Sequence, residues 1–111
     1  MNGFERVGRV DDVPLLEGRS VTIGGRRIAV VRLLDGFAAV DAECPHRGGP
    51  LADGIVADTC VTCPLHGWRF DLRSGAPAGG GAAIGIAVHE VVERGGELWV
   101  RVATADSLEA A

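Results

Sequence analysis

The chain has 111 residues, of which 47% are hydrophobic and three are cysteines, and its formal net charge is −4. This length is typical of one domain that buries a core without disulfide cross-links, so we predict a single domain over 1–111. The acidic balance argues against nucleic acid as a partner, and no apolar run reaches the ~20 residues of a membrane span. The N-terminal "MNGFERVGRVDD" carries charges where a secretory signal would be apolar, so we expect a cytoplasmic protein.

Short β-strands joined by turns are predicted along the whole chain. Gly24-Gly25, Asp35-Gly36 and Gly95-Gly96 are two-residue hairpin signals, and Asp35-Gly36 predicts a type I′ turn. Turn signals at intervals of about eight to twelve residues are typical of an all-β sandwich or barrel. The segments that alternate or are rich in β-branched residues are 19–23, 26–34, 37–42, 59–63, 68–72, 86–92 and 97–102.

Two short loops each hold one cysteine and one histidine. Cys44 and His46 lie in the first loop, "CPHRGG" (44–49), and Cys63 and His66 lie in the second loop, "CPLHGW" (63–68). Thiolate and imidazole are ligands suited to zinc or iron–sulfur centres. Two matched loops indicate one shared centre. They favour a two-metal cluster in which one metal takes the thiolates and the other the imidazoles.

Proline and glycine shape both loops. A proline follows each cysteine and restricts the backbone, whereas Gly48, Gly49 and Gly67 permit the positive φ values of tight loops. We also expect these glycines to leave backbone N–H groups free to point at cluster sulfur, which would tune the reduction potential.

Two other kinds of site use the same residue types. A mononuclear Cys2His2 zinc site is chemically possible, but its usual spacing puts both cysteines in one motif and both histidines in another. A Cys/His hydrolase needs one nucleophile and one base, and would leave the second pair unexplained. The paired loops therefore favour an iron–sulfur cluster, with a structural zinc-binding domain as a distant alternative.

The segment "CPHRGGPLADGIVADTCVTCPLHGWRFDLRSG" resembles the cluster-binding segment of Rieske-type ferredoxins. The hairpin-rich stretches on either side are similar to the small β-domain of that family, so the resemblance extends from about Phe4 to about Val102. It implies an all-β Rieske-type iron–sulfur domain, an antiparallel β-sandwich or barrel. Its cluster-binding subdomain is expected at about 42–75, and a C-terminal tail that frays is expected at about 104–111.

The resemblance implies one Rieske-type [2Fe–2S] cluster as the cofactor. Cys44 and Cys63 would bind the inner iron, and His46 and His66 the outer, more exposed iron. Two imidazoles in place of two thiolates leave the oxidised cluster neutral instead of dianionic, so that adding an electron costs less. Such centres have potentials of roughly −150 to +300 mV, against about −400 mV for plant-type ferredoxins.

Four positions place the expected potential at the low end of that range. Respiratory members of the family carry an additional disulfide between the two loops and two hydroxyl groups that donate hydrogen bonds to the cluster. Gly49 and Leu65 stand at the disulfide positions here, and Trp68 and Phe70 stand at the donor positions. Fewer donors stabilise the reduced, more negative cluster less. We therefore predict a low-potential centre.

Several further residues are expected near the cluster. Arg47 follows a ligand histidine and could contact a partner, while Pro77 begins a Gly/Ala-rich segment where the family has a proline-rich third loop that shields the cluster. Cys60 is expected to be an ordinary strand cysteine, and His89 a surface or half-buried histidine. The residues expected to surround the cluster are Arg47, Gly48, Gly49, Leu65, Gly67, Trp68, Phe70 and Pro77.

Electron transfer is the function that these features predict. A free one-electron carrier between a flavin-dependent reductase and a terminal oxidoreductase, such as a Rieske-type oxygenase, is the leading hypothesis. The small subunit of an NAD(P)H-dependent nitrite reductase, bound to a large subunit, is the alternative, because its motifs look at least as similar. A self-contained oxygenase would need two further histidines and a carboxylate for non-haem iron, and only His89 is left.

Overall fold

The computed structural model describes residues 3–45, 48–65 and 67–103, and the predicted tail at 104–111 lies outside these ranges. Within them the chain forms antiparallel β-sheets and two short 3₁₀ turns, at Val10–Asp12 and Leu51–Asp53, which confirms the all-β prediction. In the same ranges no helix is long and apolar enough to cross a membrane. The strands are β1 (Glu5–Arg9), β2 (Gly18–Ile23), β3 (Arg26–Leu33), β4 (Gly36–Asp41), β5 (Ile55–Ala57), β6 (Cys60–Thr62), β7 (Arg69–Asp71), β8 (Pro77–Gly79), β9 (Val88–Arg94) and β10 (Glu97–Arg101).

The strands form two antiparallel sheets. A six-stranded sheet has the order β1-β10-β9-β4-β3-β2, and a four-stranded sheet has the order β5-β6-β7-β8. The first loop follows β4, and the second loop connects β6 to β7. The sequence pattern does not predict β1, β5 or β8. Two of these have only three residues, too few for an alternating pattern to be recognised.

Two of the predicted hairpin turns are confirmed. Gly24 and Gly25 join β2 to β3 with φ values of +58° and +80°, and Gly95 and Gly96 join β9 to β10 with +59° and +79°. Positive φ at both turn residues is what a type I′ turn requires, and glycine adopts it without a steric penalty.

The predicted type I′ turn at Asp35-Gly36 is wrong. Leu33 pairs with Gly36, so the two turn residues are Leu34 and Asp35, and neither has a positive φ. Gly36 instead begins β4 with a φ of +152°. The conformational freedom of the glycine is therefore used at the start of the strand, one position after the turn.

Strand β3 is buried on both of its faces. Because side chains alternate along a strand, Ile28 and Val30 face one core cluster, whereas Ala29 and Val31 face a second one. The first cluster also contains Leu98 and lies within the six-stranded sheet. The second, here called the cysteine-side core, joins this sheet to the four-stranded sheet and contains Leu33, Ala38, Val40, Ala42, Cys44, Leu51, Val56, Val61, Cys63, Phe70 and Leu72.

His89 is buried, with 4% of its surface exposed, so the expected surface or half-buried position is wrong. Its Nε2 lies 2.9 Å from Asp41 Oδ1, and its Nδ1 accepts a hydrogen bond of 2.9 Å from the backbone N–H of Ala103. Since Nδ1 is an acceptor, the ring proton of the neutral tautomer lies on Nε2 and is donated to Asp41. Arg26 also donates to Asp41 Oδ1 and to the Ala103 carbonyl. This network ties residue 103 to the end of β4, three residues before Cys44.

Replacing His89 by leucine should lower the free energy of unfolding by about 1–3 kcal/mol, because the Ala103 N–H and Asp41 lose a buried partner. Urea unfolding followed by tryptophan fluorescence measures this. His89→Gln keeps one donor and one acceptor, and should lose less stability than His89→Leu. Equal stability of His89→Leu and the wild type would contradict the role given to this network.

Candidate metal centre

The two Cys/His loops are framed in the same way by paired residues. Glu43 and Pro50 form an isolated antiparallel bridge on either side of the first loop. Thr62 and Arg69 are paired on either side of the second loop, at the ends of β6 and β7. Each loop is therefore a six-residue connection between two antiparallel segments, with its cysteine at the first position.

Two backbone hydrogen bonds close the first loop. The Cys44 N–H donates to the Gly49 carbonyl (2.8 Å), and the Gly48 N–H donates to the Cys44 carbonyl (2.9 Å). Gly48 has a φ of +68°, in the left-handed region that favours glycine. The cysteine backbone is thus fixed by the loop itself.

The second loop repeats this pattern at the same positions. The Cys63 N–H donates to the Trp68 carbonyl (2.7 Å), and the N–H of Gly67, with a φ of +77°, donates to the Cys63 carbonyl (3.1 Å). The loops are near-copies in their backbone, as their sequences suggest. The N–H groups of Gly48 and Gly67 donate to cysteine carbonyls, so these two N–H groups do not point at sulfur. For the other backbone N–H groups of the loops the expectation stays a prediction.

The two loops meet at the Cys63 sulfur. Cys44 and Cys63 are each 2% exposed, and both belong to the cysteine-side core. A Cβ added to Gly49 would overlap Cys63 Sγ, and it would lie 3.2 Å from Leu65 Cγ. Glycine at position 49 therefore lets the first loop lie directly against the Cys63 sulfur. Two buried thiols, in loops that touch each other, fit the thiolate ligands of a soft metal centre.

The structure describes nine of the twelve residues predicted for the site. His46, Arg47 and His66 lie outside the described residues, so their predicted roles stay predictions. Among the residues that the structure does describe, no three Cys, His, Asp or Glu side chains form a group able to hold a metal ion. Of the four predicted ligands, the structure therefore describes the two cysteines, Cys44 and Cys63.

Two aromatic side chains, Trp68 and Phe70, occupy the positions predicted above to lack hydroxyl donors. Phe70 is completely buried in the cysteine-side core. Trp68 is half-buried and packs against this core, with its ring centroid 6.3 Å from that of Phe70 at an interplanar angle of 56°. Leu65 is 51% exposed and lies beside Gly49, so the two residues predicted to stand in place of the respiratory disulfide are neighbours.

Asp71 fixes the turn that leads from β7 toward the glycine-rich segment, a role that was not predicted. Its carboxylate accepts hydrogen bonds from the backbone N–H groups of Ser74 and Arg73 and from the hydroxyls of Thr59 and Ser74. These bonds, that of the Ser74 N–H above all, lower the pKa of Asp71, although partial burial acts in the opposite direction. The signal was present as "DLRSG", an aspartate that precedes serine and glycine.

Sequence comparisons give relatives of two kinds. A model of the Rieske [2Fe-2S] domain family matches residues 4–89. Cholesterol 7-desaturase nvd 1 of Ciona intestinalis is 49% identical over 74 residues, which cover 63% of this chain and 15% of that protein. Ferredoxin CarAc of Metapseudomonas resinovorans is 32% identical over 78 residues, covering 70% of this chain and 73% of that protein. The chain thus spans less than a quarter of the desaturases that it matches.

Several solved structures share the fold over most of this chain and most of their own chain. The ferredoxin of carbazole 1,9a-dioxygenase from Nocardioides aromaticivorans IC177 superposes with a TM-score of 0.86 at 28% identity, covering 92% of this chain and 100% of that one. A chain in the complex of reduced oxygenase and oxidised ferredoxin in carbazole 1,9a-dioxygenase gives 0.83 at 27%, covering 94% and 99%. A protein assigned as a nitrite reductase NADPH small subunit gives 0.79 at 26%, covering 87% and 96%.

The lowered pKa of Asp71 makes stability depend on pH. A carboxylate with a lowered pKa stabilises the folded state above its ordinary pKa, and this contribution is lost as the pH falls through the folded-state value. Asp71→Asn should therefore reduce the free energy of unfolding at about pH 7 and flatten its decline toward about pH 3. Urea unfolding at both pH values measures this, with Asp11→Asn, which changes an exposed carboxylate outside the turn, as the control. An unchanged pH slope in Asp71→Asn would contradict the assignment.

Proposed function

The chain belongs to the Rieske [2Fe-2S] domain family, and from that premise we propose that it is a low-potential one-electron carrier. Its cofactor is one Rieske-type [2Fe–2S] cluster. The proposed donor is a flavin-dependent reductase, and the proposed acceptor is a terminal oxidoreductase such as a Rieske-type oxygenase. The observation that supports this most is the end-to-end match to a free-standing ferredoxin, of which this chain covers 100%.

Cys44 and Cys63 are the proposed ligands of the inner iron, and His46 and His66 those of the outer iron. The burial of both thiols in one core, and the identical closure of both cysteine backbones, support the thiol pair. A bound cluster supplies reversible one-electron chemistry. The chain's own contribution is to hold the thiols in a fixed position away from water. Leu65, the residue before His66, is 51% exposed, so the histidine end of the second loop is the proposed path for electrons.

The low potential is supported by the residues that the structure describes beside the two cysteines. Phe70 and Trp68 stand at the positions where hydroxyl donors would raise the potential, and Phe70 is fully buried in the core that contains both thiols. The N–H groups of Gly48 and Gly67 already donate to cysteine carbonyls. A reduced cluster with few donors is less stabilised, because hydrogen bonds to the sulfurs compensate for added negative charge.

The small subunit of an NAD(P)H-dependent nitrite reductase is the second candidate. It is supported by the TM-score of 0.79 to a protein assigned to that role, of which this chain covers 96%. The two candidates differ in how the protein meets its partner. A carrier binds and leaves at each electron transfer, whereas a subunit stays bound to its large subunit.

The carrier proposal predicts that catalytic amounts of holoprotein link NADH and a flavin-dependent ferredoxin reductase to an oxidised Rieske-type terminal oxygenase. Stopped-flow absorption should show fast reduction of the oxygenase, at a rate proportional to the amount of holoprotein added. Gel filtration of the mixture should show no stable complex. A stable complex with a sirohaem-containing reductase subunit, and no transfer to the oxygenase, would favour the nitrite reductase candidate.

Cysteine variants serve as the controls in this assay. Cys44→Ser and Cys63→Ser should each lose the cluster and the electron transfer, because a hard alkoxide replaces a thiolate. Cys60→Ser should keep both, since Cys60 is a half-buried strand residue outside the loops. Loss of bound iron and sulfide in Cys60→Ser alone would show that the ligand assignment is wrong.

Phe70→Tyr should raise the reduction potential, because a hydroxyl near the cluster would stabilise the added charge. Phe37→Tyr is the matched control, since Phe37 packs against the other core cluster, within the six-stranded sheet. Protein-film voltammetry should show a positive shift for the first variant and none for the second. A lower potential in Phe70→Tyr would contradict the donor argument.

A further inference from the structure

The two ends of the glycine-rich segment 75–86 meet; this segment, here called the third loop, includes the short strand β8. The Ile86 N–H donates to the Gly75 carbonyl at 2.8 Å. A Cβ added to Gly75 would overlap the Ile86 carbonyl oxygen, and one added to Gly85 would overlap the Gly75 carbonyl oxygen. Both glycines are therefore needed for the approach of the two backbone segments. Because residues 75 and 86 are held together, the rest of the third loop turns back toward the second loop.

Gly80 places the tip of the third loop directly on the second loop. A Cβ added to Gly80 would overlap the Gly67 carbonyl oxygen, and it would lie 2.7 Å from the Gly67 carbonyl carbon and 3.2 Å from Trp68 Cα. Real Cβ atoms essentially never approach other atoms within 3.0 Å. The overlap is with backbone, which cannot turn aside as a flexible side chain can. Any side chain at position 80 therefore forces the two loops apart.

The neighbouring glycines do not make this contact. A Cβ added to Gly81 would lie 3.5 Å from Trp68 Nε1, and one added to Gly79 would lie 3.6 Å from the guanidinium carbon of Arg69. Both distances are ordinary van der Waals separations. The close approach is therefore specific to Gly80. It falls on Gly67, whose N–H closes the second loop onto Cys63.

We propose that Gly80 is a positioning residue for the cluster, acting through Gly67. Its lack of a side chain lets the third loop lie on the second loop, which fixes that loop and keeps water from its Gly67 side. The inference rests on the proposed binding of the cluster by the two Cys/His loops. Separation of the second and third loops would admit water, which stabilises the more negative reduced cluster and so raises the potential.

Three glycine-to-alanine variants test the proposal. Gly80→Ala and Gly81→Ala place alanine at positive φ in the same loop, at +69° and +95°, but only the first creates the overlap with Gly67. Gly95 has a φ of +59° in the β9–β10 turn, and a Cβ added to it would meet no neighbouring atom within 4 Å. Gly95→Ala therefore reports the effect of backbone strain far from the site.

The expected result is a positive shift of the midpoint potential and an altered EPR spectrum in Gly80→Ala. Loss of the cluster to a chelator should also become several-fold faster in this variant. Gly81→Ala and Gly95→Ala should keep the wild-type potential, spectrum and rate. Equal changes in Gly80→Ala and Gly81→Ala would overturn the proposal, because they would arise from backbone strain and not from the contact.

Hydrogen exchange on the wild-type holoprotein decides the case in which Gly80→Ala does not fold. If the tip of the third loop is packed on the second loop, the Ala82 amide, which donates to Gly79, and the Gly67 amide, which donates to Cys63, should open together with the same free energy. Exchange of the Ala82 amide at a much lower free energy than that of the Gly67 amide would overturn the proposal. A wild-type protein without a [2Fe–2S] spectrum would instead refute the ligand assignment, whatever the exchange of these amides shows.

Discussion

The pair of hydrogen bonds around each candidate cysteine is the constraint on which the site depends. In each loop the cysteine N–H and carbonyl are both held by the loop's own last residues, so the loop itself fixes the backbone from which the thiol projects. The pattern requires a glycine with positive φ at the fifth position of each loop, and Gly48 and Gly67 supply it.

The histidines stand at different positions in the two loops. His46 is the third residue of its loop, and His66 is the fourth. The two proposed imidazole ligands are therefore not equivalent by position.

The rest of the fold holds these loops against each other. Because β3 is buried on both faces, it supports the six-stranded sheet on one side and the cysteine-side core on the other. That core contains residues of both sheets together with both thiols, so the loops cannot separate without exposing apolar surface to water. The network of His89, Asp41 and Arg26 fixes the end of β4, from which the first loop begins. Glycine contacts then bring the third loop over the second.

Local patterns predicted much of this structure from the sequence. The longer segments rich in apolar and β-branched residues became β2, β3, β4, β9 and β10, because these residue types favour strands and turn residues separate them. The burial of His89 was not predictable, since its partners Asp41 and Ala103 lie far away along the chain. The function of Gly80 was equally hidden, because a turn glycine and a glycine required by a tertiary contact look the same in a sequence. The spacing of the cysteines predicted the metal centre. The hydrogen bonds that close the two loops could be seen only in the structure.

The central claim is that both loops bind one cluster through one histidine each. Pulsed EPR of the reduced protein with ¹⁵N-labelled histidine tests it most directly, in the His89→Gln variant, where His46 and His66 are the remaining histidines. We expect strong hyperfine coupling to nitrogens of two histidines, as in a [2Fe–2S] centre with two imidazole ligands. Coupling to one histidine, or to none, would contradict it.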